Sequence, residues 1–185
     1  MRKFAYIILM LSSVILLGGC IFGSSGTTDI YTLPRAKEIC PDKTSVTIIG
    51  FQDSSGTARN MIYKISEYQV VRDNYNRWQQ YPSELLTAYL RQSFANQNKQ
   101  SNNYLVSGNF NSFIIDLKKK ELSFEVTYSI VQESTIINPP RFVGIYKATF
   151  EKEDPTEYAR AFKAAAHKFA ADLCKKIIEK NGAKK

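Results

Sequence analysis

Leu122-Ser123-Phe124-Glu125-Val126-Thr127-Tyr128-Ser129-Ile130 puts an apolar side chain at every second position. Side chains on an extended strand point alternately to its two faces, so Leu122, Phe124, Val126, Tyr128 and Ile130 share one side and polar residues the other. The stretch therefore reads as a strand buried on one face. Leu105 to Leu117, on its N-terminal side, alternates more loosely. On its C-terminal side, Phe142, Gly144, Tyr146, Ala148 and Phe150 fall on one face of a third strand. Lys118 to Glu121 and Asn138-Pro139-Pro140 are the connections, and the three strands form an antiparallel meander.

Further upstream, Ile30-Tyr31-Thr32-Leu33 and the β-branched run Val46 to Phe51 also read as strands, with turn chemistry at Asp53 to Gly56. Met61, Tyr63 and Ile65, then Tyr68, Val70 and Val71, suggest a hairpin. A sheet with one apolar face needs a cover, and two helices supply it. The first runs from about Ser83 to Gln97 with Leu85, Leu86, Tyr89, Leu90 and Phe94 at helical spacing. The second opens on Asp154-Pro155-Thr156-Glu157, an acidic cap followed by proline at the first helical position and an early glutamate. Tyr158, Phe162, Ala165, Phe169, Leu173 and Ile177 form its apolar stripe, alanines allow close approach, and Asn181-Gly182 stops it. The reading is an α+β single domain, a mostly antiparallel sheet with two main helices packed on one face.

At the N-terminus Arg2 and Lys3 precede a mostly apolar run, Phe4 to Leu17, interrupted by Ser12-Ser13 and ending in Leu17-Gly18-Gly19-Cys20. A spanning helix needs roughly 20 apolar residues, so the run fits a secretory h-region better. The cysteine behind two glycines makes it a lipobox: cleavage leaves Cys20 as the first residue, acylated by palmitate-type chains. Several acyl chains, at about 0.8 kcal/mol per buried methylene, anchor a protein stably. Residues 1–19 are then the signal peptide, 20–29 the lipidated N-terminus and a Gly/Ser-rich tether, 30–181 the folded domain and 182–185 a tail. An ordinary signal peptide with a chance cysteine is the alternative. The net charge of +8 falls to +6 on cleavage, and its scattered lysines and arginines read as solvated faces. An exported lipoprotein does not meet nucleic acid, so none is expected as a partner. Cys40 and Cys174 remain after cleavage; in an oxidising compartment they either pair as a disulfide or stay as two buried thiols.

Catalytic patterns are scarce. The one histidine, His167, lies in the alanine-rich helix with Lys163 and Ala171 a turn away, which offers no metal set and no triad. The carboxylates sit mostly at strand ends and caps. Glycines fall in the lipobox, the tether and turns rather than in a phosphate loop. No enzyme activity, metal or cofactor is expected. From Tyr63 to Tyr89, however, tyrosines and Trp78 interleave with Arg72, Arg77 and Arg91. Such residues are enriched at binding hot spots, which makes Tyr68, Tyr75, Arg77 and Trp78 candidates for partner binding. For Trp78 the competing reading is packing between helix and sheet.

The same segment carries a resemblance. Met61-Ile62-Tyr63-Lys64, Tyr68, Tyr75-Asn76-Arg77-Trp78, Pro82 and Leu85-Leu86 resemble the I-x-Y-R, Y, Y-x-x-W, P and L-L succession of the ABC-type transport auxiliary lipoproteins. These are the paraquat-inducible protein C-like partners of MCE-type lipid transporters. Tyr104-Leu105-Val106-Ser107-Gly108-Asn109-Phe110 is similar to that family's Y-x-L-x-G-x-L strand. Lys64 and Gln79-Gln80 depart from the pattern. The resemblance implies a non-catalytic accessory lipoprotein facing the periplasm and docking on an MCE-domain or permease subunit during intermembrane transport of lipid or another hydrophobic compound. ATP would be hydrolysed by a separate subunit. Ile21 rather than aspartate after the lipidated cysteine favours the outer membrane over the inner, and homo-oligomerisation is left open. The alternatives are an assembly factor of the pilotin or outer-membrane biogenesis type, and a secreted hydrolase with convergent carboxylates.

Overall fold

A computed structural model describes residues 27–40, 45–95, 103–132 and 139–182 of the chain. The signal peptide, the lipobox with Cys20, the tether before Thr27, Gln97, Asn138 and the last three residues lie outside the described residues.

Among the described residues seven strands and two helices follow one another as β1 Asp29–Tyr31, β2 Ser45–Asp53, β3 Asn60–Lys64, β4 Val70–Trp78, α1 Pro82–Ser93, β5 Asn103–Asp116, β6 Glu121–Gln132, β7 Arg141–Thr149 and α2 Pro155–Gly182. The expected meander is present: β5 pairs antiparallel with β6 from Tyr104↔Gln132 to Asp116↔Glu121, and β6 with β7 from Glu121↔Thr149 to Ser129↔Arg141. The hairpin of β3 and β4 is also present. Lys120 adopts a left-handed φ of 49° at the β5–β6 turn, where the Asp116 carboxylate accepts the Lys119 amide at 2.9 Å.

Three other pairings are parallel, so the sheet is mixed. β2 lies parallel to β5 along Asn103–Phe110, β3 takes over the same edge at Ile115 and Asp116, and β1 lies parallel to β4. The cause is the length of the connections. β2 meets β5 only after the β3–β4 hairpin and α1 have intervened, and a crossover of that length returns a strand in the same direction.

The loose alternation of β5 also has a local cause. Its pairing shifts between Phe110 and Ser112, leaving Asn111 as an extra residue, so Phe110 and Phe113 both face the core although three positions apart. The Asn111 amide donates to Thr127 Oγ1 at 2.7 Å and to Glu125 Oε1 at 3.1 Å on the opposite, open face.

Both helices cover the same face of the sheet. α1 begins with Pro82 in its first turn, and Glu84 accepts the Tyr81 amide at 3.1 Å; the helix ends at Ser93 with Phe94 as its cap, short of the expected Gln97. α2 buries Tyr158, Phe162, Ala165, Phe169, Leu173 and Ile177, the stripe read from the sequence. Phe162 meets Phe113, Phe124 and Trp78 edge-on, and Phe169 meets Phe51, Tyr128 and Tyr146. Such pairs add roughly 0.5–1.5 kcal/mol beyond their area. Gly144 is small because the Tyr146 ring lies across it: a Cβ there would come within 2.6 Å of the ring. Laid flat, Tyr146 reaches Asp172 Oδ2 at 2.7 Å, and Tyr128 reaches the same oxygen at 3.3 Å. One carboxylate on α2 thus pins two strands. Cys40 and Cys174, both buried, are joined by a disulfide with their Cα atoms 5.7 Å apart, which ties the segment before β2 to α2.

Candidate functional site

The partner-binding residues proposed from the sequence lie along the β3–β4 hairpin, and the structure separates them into three environments. Tyr68 sits at the hairpin tip, closed by the Ile65 amide donating to the Gln69 carbonyl at 3.1 Å, and is 92% exposed. Tyr75 projects from β4 and is 59% exposed. Arg77 is exposed at the far end of β4, opposite Ile30 of β1 and Asn60 of β3. Trp78 is not on the surface at all. It is wholly buried, edge-on to Phe113 at 5.7 Å and to Phe162 at 5.6 Å. Its place in the binding set is therefore corrected to core packing: the indole is large and apolar, and α2 passes directly over the end of β4.

What presents Tyr75 is Asp73. Between Arg72 and Arg77 the β3–β4 pairing slips, and the Asp73 carboxylate fills the gap. It accepts the Tyr63 hydroxyl at 2.6 Å, the Asn76 side-chain amide at 2.6 Å, and the backbone amides of Tyr75 and Asn76 at 2.8 and 3.0 Å. The Asn60 side chain donates to the Asp73 carbonyl at 2.7 Å. Burial works to raise this carboxyl, but the hydrogen bonds from Tyr63, Asn76 and Tyr75 outweigh it and hold it at about 2. Burial, then the Asp73 bond, keeps the Tyr63 hydroxyl protonated far above the usual phenol range. Tyr63 also packs on Tyr158 of α2 with ring centroids 5.5 Å apart, so the hairpin is braced against the domain. Sequence reading missed Asp73. Its signal is the turn-forming Asp73-Asn74 pair inside an otherwise strand-like run.

β3 lies on the inner side of β4, and β1 pairs only with Asn76–Trp78, so among the described residues no strand lies on the outer side of β4 from Val70 to Tyr75. Val70 and Val71 are exposed on this stretch, flanked by Tyr68, Arg72 and Tyr75. An uncovered edge carrying apolar and aromatic side chains is a ready surface for another chain. Asp73 is ionised and accepts four hydrogen bonds from Tyr63, Tyr75 and Asn76.

Elsewhere His167 lies exposed on α2. Among the described residues no group of His, Cys, Asp and Glu could hold a metal ion, and no helix is long and apolar enough to cross a membrane.

No protein-family model matches the chain, and no curated protein matches it. Solved structures share its fold. A Xanthomonas campestris protein of the DUF330 family overlays with a TM-score of 0.63 at 12% identity, covering 85% of this chain and 100% of that one. A second crystal structure, of a protein without an assigned function, overlays with a TM-score of 0.63 at 13% identity over 82% of this chain and 99% of its own. The PelC dodecamer from Paraburkholderia phytofirmans overlays at 0.37 and 13% identity over 78% of this chain and 93% of that one, too loosely to carry an argument.

Proposed function

We propose that the chain is a lipid-anchored, periplasm-facing accessory protein of an ABC transporter with an MCE-type component, and that it docks on that partner without catalysing a reaction. The observation that carries the proposal is the exposed edge from Tyr68 to Tyr75, held in one conformation by Asp73 and Tyr63. Rigid tyrosines on a strand edge lose little conformational freedom on binding, which favours a standing interface. Three further features support the reading: the lipobox ending at Cys20, the buried disulfide expected of an oxidising compartment, and the order of motifs shared with auxiliary lipoproteins. The residue after Cys20 is isoleucine, which points to the outer membrane.

A photo-crosslinking residue placed at position 68 or 75 of the full-length protein in its native membranes tests the docking edge. The expected product is an adduct with an MCE-domain or permease subunit. Recovery of the protein with no transporter subunit in either position rejects the proposal. The mass of the mature N-terminal peptide tests the anchor separately, since an acylated Cys20 is required.

A further inference from the structure

The structure assigns a second role to the far end of the hairpin: a pocket there takes the phosphate of a lipid headgroup in the membrane that anchors the chain. The inference rests on the anchored reading but concerns different residues from the docking edge. The pocket has a volume of about 490 Å³ and is lined by Thr28, Ile30, Arg59, Asn60, Arg77 and Tyr81, with Ala58.

Arg59 and Arg77 both line it. Arg59 is fixed by its Nε, which donates to the Trp78 carbonyl at 3.4 Å, and this leaves its terminal nitrogens uncommitted. Arg77 comes from the next strand, in register with Asn60 and with Ile30. Neither arginine forms an ion pair with a carboxylate among the described residues. Asp29, the acid next to Ile30 on β1, alternates to the opposite side of that strand with Tyr31. Two unneutralised arginines in one pocket form a site for an anion, and the planar guanidinium fork matches the oxygens of a phosphate.

The choice of a lipid follows from the rim and from the tether. Ile30 is 63% exposed and Tyr81 45% exposed beside the arginines, an apolar side chain and an amphipathic ring suited to the boundary between headgroups and acyl chains. Thr28, on the pocket wall, lies only eight residues after Cys20, so even a fully extended tether keeps the pocket within about 28 Å of the acylated residue. A pocket held that close to a bilayer meets headgroup phosphate at far higher local concentration than any dissolved phosphate.

The test uses the mature chain from residue 20 carrying Cys20→Ser, so that no acyl chain contributes. Co-sedimentation is measured with vesicles of phosphatidylcholine and with vesicles containing phosphatidylglycerol. We expect selective binding to the second, weakened about twenty-fivefold by Arg59→Gln with Arg77→Gln, since each basic residue at an anionic surface is worth about fivefold. Lys118→Gln with Lys119→Gln, which removes the same charge from the β5–β6 turn, is expected to change binding far less. Circular dichroism of both variants is expected to match the parent. Equal weakening by the two pairs overturns the inference, as does a parent chain that ignores phosphatidylglycerol. So does an arginine-dependent thermal shift from inorganic phosphate without vesicle binding, which would make the ligand a free anion. Because acylation is absent throughout, a negative result here leaves the anchor at Cys20 to its own mass measurement.

Discussion

Replacing Cys40 and Cys174 together with alanine removes a link between residues 134 apart in sequence. In the chain-entropy treatment, opening a loop of that length costs about 5 kcal/mol, because the unfolded chain regains the freedom the bridge had denied it. Domains of this size are stable by roughly 5–15 kcal/mol in all, so the bridge accounts for a third or more of the total. The same loss corresponds to a fall in melting temperature of about 10–20 °C. Urea unfolding followed by fluorescence reads the effect directly, since the chain has one tryptophan and Trp78 lies at the centre of the core. Reduction of the parent protein is expected to move its midpoint toward that of the double variant, while the double variant ignores the reductant. The slope of the transition should rise as well, because the unlinked chain unfolds to a more open state. A parent curve unmoved by reductant, or a double variant within about 1 kcal/mol of the oxidised parent, would refute the reasoning.

Four further predictions concern particular side chains. Burial raises the hydroxyl pKa values of Tyr63, Tyr128 and Tyr146, with the hydrogen bonds to Asp73 and Asp172 adding to it at Tyr63 and Tyr146 and the bond with Tyr146 opposing it at Tyr128, and burial followed by Glu153 and Asp154 pushes Tyr158 up to about 12. The folded state therefore favours these phenols neutral, and its stability is intact below about pH 10 and declines above it; the part of the tyrosinate absorbance lost in the Tyr63→Phe, Tyr128→Phe and Tyr146→Phe variants should appear together with unfolding, not ahead of it. Asp73 has the opposite sign: held at about 2, it stabilises the fold above about pH 4 and loses that contribution as pH falls toward 2. Discounted for its solvent exposure the effect is about 1 kcal/mol, and Asp73→Asn should flatten the acid limb of the stability curve. Lys120→Gly should stabilise the protein by about 0.5–1 kcal/mol in chemical denaturation, since Lys120 alone among the described non-glycine residues has a positive φ; a loss would contradict the turn geometry. Trp78→Ala should cost about 3–5 kcal/mol whereas Tyr68→Ala stays within about 0.5, a contrast that separates core from surface along one hairpin.

Much of the fold was legible because its patterns are local. The strict alternation of β6, the face shared by Phe142 to Phe150, and the stripe and cap of α2 each follow from a periodicity and a turn signal within a single element. The parallel seating of β2 and β3 on one edge of β5 was not legible, since edge sharing depends on partners far apart in sequence and leaves no mark within either strand. Asn111 shows a related gap: one residue inserted at a bulge resets which side chains face inward, and a period-two reading then only half fits. At the candidate site, composition located the hairpin but could not sort it. Tyr68 and Trp78 look equally aromatic in sequence, and only the passage of α2 over the end of β4 assigns one to solvent and the other to the core. Asp73 leaves little mark in the sequence because two of its four bonds come from backbone amides, which any sequence would supply, and a third from Tyr63, ten residues away on the other strand.

The parallel ladder between β2 and β5 also sets an order of events. A chain is synthesised from its N-terminus, so Val46, Ile48 and Phe51 emerge more than fifty residues before the strand that will shelter them. Until Asn103–Phe110 arrives, β2 is an apolar segment with no edge to join, while β5, β6, β7 and α2 can assemble through neighbours close in sequence. Non-local pairings of this kind close late and slowly. The early strand is thus the part of the molecule most dependent on a holding chaperone, and the place where aggregation of the nascent chain would begin.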